Sequence, residues 1–589
     1  MSRPLKPERN WSLFATALAA CLLCIDTTSG LSVHRVTSSI VTAFILSGLC
    51  SLTPGGIRAF IQLVVGEGVI AVCLIDCYCQ EYFFSPITPQ LMTSILLSDA
   101  REACEFLSAF VGIEVLLRWR IASLLMLAAC LPVSLFVSWQ LPTTLRNRRL
   151  VYACLALLLL CAACEAPAFC KFSQLFMQKQ ETERLEGLIF RRYHQEVPTP
   201  LHRLVFACYS SVQSREVLRG IKHSTLVAGI DSCSHASPHI VLAIGESYNK
   251  HHSSLYGYRL PTTPLQQKRL AAGELTVFTD VVTPWNITSN VFLDMFSLWE
   301  HGSRRHVSEY PLFPILFRRA GYQVTFFSNQ YQLRGFRKGT TNQAGHFFLA
   351  DRELSDSLFS LRNRKSAKYD MGLISQLAQF RKGEELPAYS LDIVHLIGQH
   401  FKYSARYPHR LSYFSAADYQ GRNLEEDARK IVMHYDNATR YDDAVLDSLL
   451  TLYEDEEAIV IFIADHGEEV YDELPTHGRL HQEPTGEQAR NEFEVPMWIW
   501  CSKKYGDRHP DIVAAIRTSA SRPFLSDDIP QILLYLAGIE SAWTDDTRNL
   551  LSPRYRSKQR VIAGDSDYDS LVGRRKSATG LQIGKKREY

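Results

Sequence analysis

The chain has 589 residues, a formal net charge of +2 and 15 cysteines. This length exceeds that of one ordinary domain, so at least two folding units are expected. The near-neutral charge gives no electrostatic basis for binding nucleic acid. Twelve cysteines lie at or before Cys170, in apolar segments, which argues against a disulfide framework.

The first 170 residues predict a transmembrane domain. Five segments are apolar and long enough to cross a bilayer, which takes about 20 helical residues. They are roughly 11–28, 37–54, 59–78, 121–139 and 150–169. A sixth segment, 103–117, carries Glu105 and Glu114, and we interpret it as an amphipathic helix at the membrane interface. Asp76, at the end of the third span, is interpreted as an interfacial acid that reaches water.

The charges that flank the spans predict the orientation of the chain. Seven Lys and Arg residues fall on one side of the five spans and four on the other, which favours a cytoplasmic N-terminus. Residues after about 170 are then expected outside the cytoplasm, although a sixth span would reverse this. Residues 171–238 are mixed and charged, and they predict linker helices on the membrane surface. A compact α/β domain is expected over 239–589.

Polar side chains follow the predicted strands of that domain. The strands are expected at 240–244, 275–279, 323–327, 390–394 and 459–464. The polar residues that come after them are Glu246, Asn329, Gln330, His395, His400, Asp465 and His466. Because the carboxyl ends of parallel strands meet at one edge of a sheet, these side chains are expected to converge there. Each histidine could equally have a purely structural role.

Thr288 is a candidate nucleophile at the predicted start of a helix. The helix N-terminus would stabilise an alkoxide and a bound phosphate, but the local sequence by itself favours a simple N-cap. The loop after His466 adds His477 and His481. Carboxylates, imidazoles and a hydroxyl at one sheet edge indicate a metal-assisted transfer site. Zinc accepts both the oxygen and the nitrogen ligands.

At these residues the sequence resembles the membrane-anchored phosphoethanolamine transferases of Gram-negative envelopes, within the alkaline phosphatase and sulfatase superfamily. The five predicted spans match, as do residues 244–247 with 254–258, Thr288 ahead of 295–297, 395–400, 435–437 with Tyr441, and 465–468. The resemblance implies an α-helical transmembrane anchor over 1–170. It also implies an alkaline-phosphatase-like α/β catalytic domain with a mostly parallel central sheet. The expected location is the bacterial inner membrane, with the catalytic domain in the periplasm.

The resemblance also implies roles for individual residues. Zinc would be bound by Glu246, Thr288, Asp465 and His466, with Thr288 as the nucleophile that carries phosphoethanolamine. Substrate would be bound by Glu102, Asn329, Gln330, His395, His400 and His477, of which His400 and His477 could instead hold a second zinc. Glu102 could equally be a solvated interfacial acid. The expected donor is phosphatidylethanolamine, the acceptor is lipopolysaccharide core, lipid A or another envelope glycan, and membrane lipids are partners.

Two departures from the family leave the acceptor open. Lipid A-modifying members carry paired cysteines around the nucleophile, where this sequence has Pro284 and Asp294. The stretch 328–330 is more similar to members that act on the lipopolysaccharide core. One alternative is a phosphoglycerol transferase of the lipoteichoic acid synthase type, which would use phosphatidylglycerol. The other is a non-catalytic envelope protein that binds lipid.

Overall fold

The computed structural model describes two compact units. It covers residues 33–82, 87, 118, 121–129, single positions between 156 and 170, 199–330, 348, 351–363, 365–383, 387–479, 484–564 and 566–573. The first unit comprises Met1–Glu216 with Leu480–Gln482, and the second Val217–Arg479 with Glu483–Tyr589. The boundary lies within one long helix, Pro200–Val227. The predicted division into an anchor over 1–170, a linker over 171–238 and a domain over 239–589 stays a prediction.

The α-helices are numbered in chain order. They are α1 (Val33–Ser51), α2 (Gly55–Tyr82), α3 (Pro200–Val227), α4 (Pro264–Ala271), α5 (Thr288–Phe296), α6 (Pro314–Arg319), α7 (Arg352–Leu358), α8 (Asp370–Gly383), α9 (Glu426–Thr451), α10 (Gly486–Phe493), α11 (Lys503–Arg508), α12 (Pro510–Ser519), α13 (Ile529–Ala537) and α14 (Tyr568–Leu571). Short 3-10 helices lie at Lys250–His252, Ser254–Tyr256, Val307–Glu309, Tyr403–Ala405, His409–Leu411, Ala416–Tyr419 and Ser526–Asp528.

In the first unit, α1 and α2 coincide with the second and third predicted spans. Among the described residues, one helix is long and apolar enough to cross a membrane, at Ile57–Cys79 within α2. Val36–Cys50 within α1 is a shorter apolar helix, and residues 121–129 of the fourth span are helical. The first span, segment 103–117 and most of the fifth span lie outside the described residues, so the five-span anchor stays a prediction.

Asp76 of α2 does not reach water as the sequence suggested. Its carboxylate is buried and accepts hydrogen bonds from Arg203 of α3, with Nε 3.0 Å from Oδ1 and Nη2 2.5 Å from Oδ2. The backbone N–H of Ile87 donates to Oδ1 as well, across 2.9 Å. The interpretation as an interfacial acid was wrong, because Arg203 is 127 positions later in the chain and no local pattern predicts the pair.

A seven-stranded sheet forms the centre of the second unit. Its strands are β1 (His239–Gly245), β2 (Leu275–Phe278), β3 (Gln323–Ser328), β4 (Leu361–Arg362), β5 (Ser390–His395), β6 (Ala458–Ala464) and β7 (Met497–Cys501), in the spatial order β2-β7-β6-β1-β5-β3-β4. The five strands from β6 to β4 are parallel, and β7 is antiparallel to both β6 and β2. The central sheet is therefore mixed.

Both faces of the sheet are covered. Every residue of β6 is buried, which requires packing on both sides because successive side chains point to opposite faces. Helix α9 packs on α4 and α8, while α13 contacts β1 and α5. Small two-stranded pairings surround this core: Ser232–Cys233 with Ile539–Glu540, Val281–Val282 with Phe524–Leu525, Glu469–Val470 with His477–Gly478, and Val561–Ile562 with Ser566–Asp567.

Candidate active site

Strand register brings three of the four predicted metal ligands together. Gly245 at the end of β1 pairs with Ala464 at the end of β6, so Glu246 and the pair Asp465 and His466 leave the sheet side by side. One ligand atom from each of these residues lies within 4.8 Å of the others, and all three are buried. For these three residues, the predicted convergence at the carboxyl edge of the sheet is present in the structure.

Thr288 completes this cluster from the start of α5. Its Oγ1 donates to Oε2 of Glu246 across 3.1 Å and lies 3.3 Å from Nε2 of His466. The N-cap of α5 is Ile287, in an extended conformation, and Thr288 is the first helical residue. The simple N-cap interpretation was therefore wrong, because the hydroxyl faces the acidic cluster and caps nothing.

His466 is held as the tautomer that a metal ion requires. Its Nδ1 lies 2.7 Å from the carbonyl oxygen of Gly467, so Nδ1–H donates there and the lone pair of Nε2 points toward the carboxylates. Burial lowers the pKa of His466 to about 3, and the charge of Arg479 contributes. Gly467 itself must be glycine, because a Cβ would lie 2.0 Å from the backbone oxygen of Asn491.

The carboxylates of Glu246 and Asp465 lie close together in a buried position. Oδ1 of Asp465 accepts from the backbone N–H groups of Ser247 and His466, whereas Oδ2 is buried and accepts no hydrogen bond from the described residues. Burial, together with the charge of Glu246, raises the pKa of Asp465 well above its usual range. A buried oxygen without a donor, a second carboxylate and a neutral imidazole are a donor set that fits zinc.

Gln330 and His395 border the cluster at the ends of β3 and β5. Nε2 of Gln330 donates to Oε2 of Glu246 across 2.5 Å and lies 3.2 Å from Nε2 of His395. The side chain of Asn329 is used differently: its Nδ2 donates to Asp370 across 2.8 Å, and its Oδ1 accepts from the backbone N–H of Ala367. Substrate binding by these three residues stays a prediction.

Three further residues beside the cluster contact one another: Arg479, Glu468 and Tyr403. The sequence analysis did not select them as site residues. Nη1 of Arg479 lies 3.1 Å from Nε2 of His466, and its Nε lies 3.7 Å from Oε2 of Glu468. Tyr403 donates to Oε1 of Glu468 across 2.7 Å. Burial raises the pKa of Glu468 to about 7. Only the position of Arg479 two residues after His477 could have pointed to it.

Two further predicted histidines, His400 and His477, lie in the same region. The ring of His477 stacks on Tyr471, with centroids 5.5 Å apart, and lies 5.8 Å from the Tyr403 ring. Burial lowers the pKa of His477 to about 4. His400 is buried. Burial by itself would raise the pKa of Glu246, but electrostatic interactions with its neighbours, Arg479 among them, hold that pKa below its usual range. Glu102 and His481 lie outside the described residues.

A protein-family model described as Sulfatase matches residues 238–539, just over half of the chain. The chain belongs to the sulfatase family. The matched region begins one residue before β1 and ends just after α13, so it contains all seven strands of the sheet and the residues of the cluster. The predicted membership of this superfamily is confirmed.

Curated relatives extend the comparison. The chain is 28% identical over 352 residues to phosphoethanolamine transferase EptC of Escherichia coli (strain K12), and 28% identical over 359 residues to phosphoethanolamine transferase CptA of Salmonella typhimurium. Each alignment covers 59% of this chain and 58% of the relative. The chain therefore matches less than two thirds of the length of these relatives.

One solved structure resembles nearly the whole chain. The integral membrane protein lipooligosaccharide phosphoethanolamine transferase A (EptA) from Neisseria meningitidis has a TM-score of 0.59 with this structure and is 17% identical in sequence. The match covers 93% of this chain and 99% of that protein. The two proteins share a fold.

Proposed function

We propose that this protein transfers phosphoethanolamine from phosphatidylethanolamine to a hydroxyl of lipopolysaccharide or another envelope glycan, through a phospho-threonine intermediate. The observation that carries the proposal is the placement of the Thr288 hydroxyl, 3.1 Å from Glu246 and 3.3 Å from His466, beside Asp465. The names of the curated relatives, which are phosphoethanolamine transferases, support the choice of the transferred group.

The residues that would hold zinc are Glu246, Thr288, Asp465 and His466. When bound, zinc lowers the pKa of a coordinated hydroxyl and neutralises charge on a phosphoryl group. The protein contributes the geometry: Nδ1–H of His466 is fixed by Gly467, and one oxygen of Asp465 is fixed by two backbone N–H groups.

In the first half-reaction, Oγ1 of Thr288 forms a bond to phosphorus, and the bond from phosphorus to the diacylglycerol oxygen breaks. Oε2 of Glu246 accepts the hydrogen bond of Thr288 and orients its hydroxyl. Because the pKa of Glu246 lies below its usual range, this carboxylate is a weak base, and the proton of Thr288 passes to solvent. Diacylglycerol leaves as the alcohol after gaining one proton. In the second half-reaction an acceptor hydroxyl attacks phosphorus, and Thr288 leaves and regains a proton.

The start of α5 favours both half-reactions. Thr288 is the first residue of this nine-residue helix, so the positive end of the helix dipole faces the phosphoryl group. Gln330 and His395, 3.2 Å from each other beside Glu246, are proposed to contact the substrate. We further propose that substrate is bound by four other residues: Glu102, Asn329, His400 and His477.

The proposed location is the inner membrane of a Gram-negative bacterium, with the second unit in the periplasm. The match to an integral membrane protein over 93% of the chain supports a membrane anchor, and α2 contains an apolar helix of sufficient length. A lipid donor and a membrane-bound glycolipid acceptor are both available at that surface. The number of spans remains part of the proposal.

A donor-exchange assay tests the function. The full-length protein is placed in vesicles that contain head-group-labelled phosphatidylethanolamine or phosphatidylglycerol, with lipopolysaccharide as acceptor, and diacylglycerol and labelled glycolipid are measured. We expect consumption of phosphatidylethanolamine that is lost in Thr288→Ala and retained in Ser289→Ala, which removes the neighbouring hydroxyl. Consumption of phosphatidylglycerol instead would favour the phosphoglycerol transferase, and consumption of neither lipid would favour a non-catalytic protein.

A further inference from the structure

Arg479 places a permanent positive charge beside the candidate metal centre. Its Nη1 lies 3.1 Å from Nε2 of His466. Nε2 of His466 in turn lies 3.3 Å from the hydroxyl oxygen of Thr288. The Arg479 side chain is 18% exposed, so most of it is enclosed while part remains accessible. A guanidinium group does not lose its charge in proteins, so this cation is present in every step.

Glu468 forms an ion pair with the guanidinium, and Tyr403 fixes the position of Glu468. Oε2 of Glu468 lies 3.7 Å from Nε of Arg479, and Oε1 accepts a 2.7 Å hydrogen bond from Tyr403. Glu468 and Tyr403 are 0% and 3% exposed. Nε of Arg479 is thus directed toward Glu468 and Nη1 toward His466, whose Nε2 also lies beside the Thr288 hydroxyl.

The contact between Arg479 and His466 is incompatible with a metal ion on the same nitrogen. A bound cation uses the lone pair of Nε2, and it repels a guanidinium group a few ångströms away. The Nη1–H group of Arg479 then loses His466 as its acceptor. A phosphoryl group on Thr288 would supply oxygens close to that nitrogen, and guanidinium groups bind such oxygens in paired hydrogen bonds.

We infer that Arg479 binds the phosphoryl oxygens of the group carried by Thr288, with Glu468 as its positioning residue. This inference rests on the proposed function and adds to it a cation that the metal ligands do not supply. Glu246 and Asp465 together offset the charge of one divalent ion. The negative charge of the incoming phosphodiester is then balanced by Arg479.

The test measures formation of the adduct on Thr288 and metal content in parallel. Full-length wild-type protein, Arg479→Ala, Arg479→Lys and Glu468→Gln are incubated with phosphatidylethanolamine vesicles without acceptor. The rate of adduct formation is followed by peptide mass spectrometry, and bound zinc by elemental analysis. Arg410→Ala serves as the control, because Arg410 is an exposed arginine in the 3-10 helix His409–Leu411.

We expect Arg479→Ala to form the adduct roughly 100-fold more slowly, the scale seen when one transition-state donor is removed, with unchanged zinc content. Free guanidinium ion should restore part of the rate, which a purely structural role would not allow. Arg479→Lys keeps the charge but loses the paired donors and should lie between the two. Glu468→Gln should raise KM for the lipid more than it lowers kcat, and Arg410→Ala should match wild type.

Three results would contradict the inference. If the wild-type protein forms the adduct and Arg479→Ala forms it at the same rate, the inference about Arg479 is wrong and the proposed function is unaffected. Loss of zinc in Arg479→Ala would show that the arginine supports the metal ligands instead of the phosphoryl group. Absence of any adduct in the wild-type protein would overturn the proposed function, and the role of Arg479 with it.

Discussion

The indole Nε1 of Trp285 donates a hydrogen bond to Oδ2 of Asp294 across 3.0 Å, which joins the loop before Thr288 to the helix that follows it. Nδ1 of His301 lies 2.9 Å from the same oxygen. Trp285 and Asp294 are almost fully buried. Asp294 occupies one of the positions at which lipid A-modifying members of the family that this sequence resembles carry a cysteine. In this protein the hydrogen bond from Trp285 connects the segments on either side of Thr288.

Replacing Asp294 should destabilise the second unit. In Asp294→Ala the indole N–H is left buried without an acceptor, and the free energy of unfolding should fall by about 1–3 kcal/mol. Thermal unfolding of the purified full-length protein measures the change. Asp546→Ala is the control, because Asp546 forms an exposed ion pair with Arg554, and such pairs contribute about 0–1 kcal/mol. Equal effects of the two variants would contradict this role of Asp294.

The buried pair of Asp76 and Arg203 should be sensitive to removal of either partner. Arg203→Leu removes the ion-pair partner of the buried Asp76 carboxylate, which costs about 3–5 kcal/mol. The double variant Asp76→Leu with Arg203→Leu should recover much of that loss, since both charges of the pair are then removed. Melting temperatures of the detergent-purified variants test this, and a double variant less stable than both single variants would contradict it.

His252 should make stability depend on alkaline pH. Burial would lower its pKa, but the carboxylates of Asp472 and Asp436 outweigh this and raise the pKa of His252 to about 10. The folded protein therefore binds this proton more tightly than the unfolded chain, whose ordinary pKa is about 6.5. The stabilisation is complete below about pH 6.5 and is lost as pH rises through about 10.

Melting temperatures measured from pH 6 to 10 test this expectation. The wild-type melting temperature should fall across that range, and His252→Gln should flatten the profile because it carries no titratable proton. A His252→Gln profile parallel to that of wild type would assign the pH dependence to other groups.

Removal of zinc should destabilise the second unit. Without the ion, the buried carboxylates of Glu246 and Asp465 face each other with no divalent cation. A ligand present at 100 times its Kd stabilises the folded state by about 2.7 kcal/mol, so a chelator should lower the melting temperature and added zinc should restore it. The variant Glu246→Gln with Asp465→Asn should show no response to the chelator. A similar response in that variant would place the zinc elsewhere.

Five of the seven strands in the central sheet of the second unit could be predicted closely from the sequence. The strand predicted at 240–244 is observed at His239–Gly245, and the strand predicted at 459–464 is observed at Ala458–Ala464. These segments are continuous apolar runs that end in a charged residue, so their ends are marked chemically. The convergence of Glu246 with Asp465 followed from this, because parallel strands bring their carboxyl ends to one edge.

Other features depended on contacts that a local pattern does not contain. The run at Met497–Cys501 is as apolar as a parallel strand, and only its pairing with β6 shows that it is antiparallel. Thr288 has the residue type of an N-cap, and its true position depends on the extended backbone of Ile287. Arg479 belongs to the site because the loop after β6 folds back toward His466.

The central claim is that Thr288 carries the transferred group, and peptide mass spectrometry of the donor-treated protein tests it most directly. Full-length protein incubated with phosphatidylethanolamine and no acceptor should gain one phosphoethanolamine group on the peptide that contains Thr288. Fragmentation should place the group on that residue, the adduct should be absent in Thr288→Ala, and it should persist in Ser289→Ala. An adduct on Ser289 or Thr283, or full transfer activity in Thr288→Ala, would contradict the account.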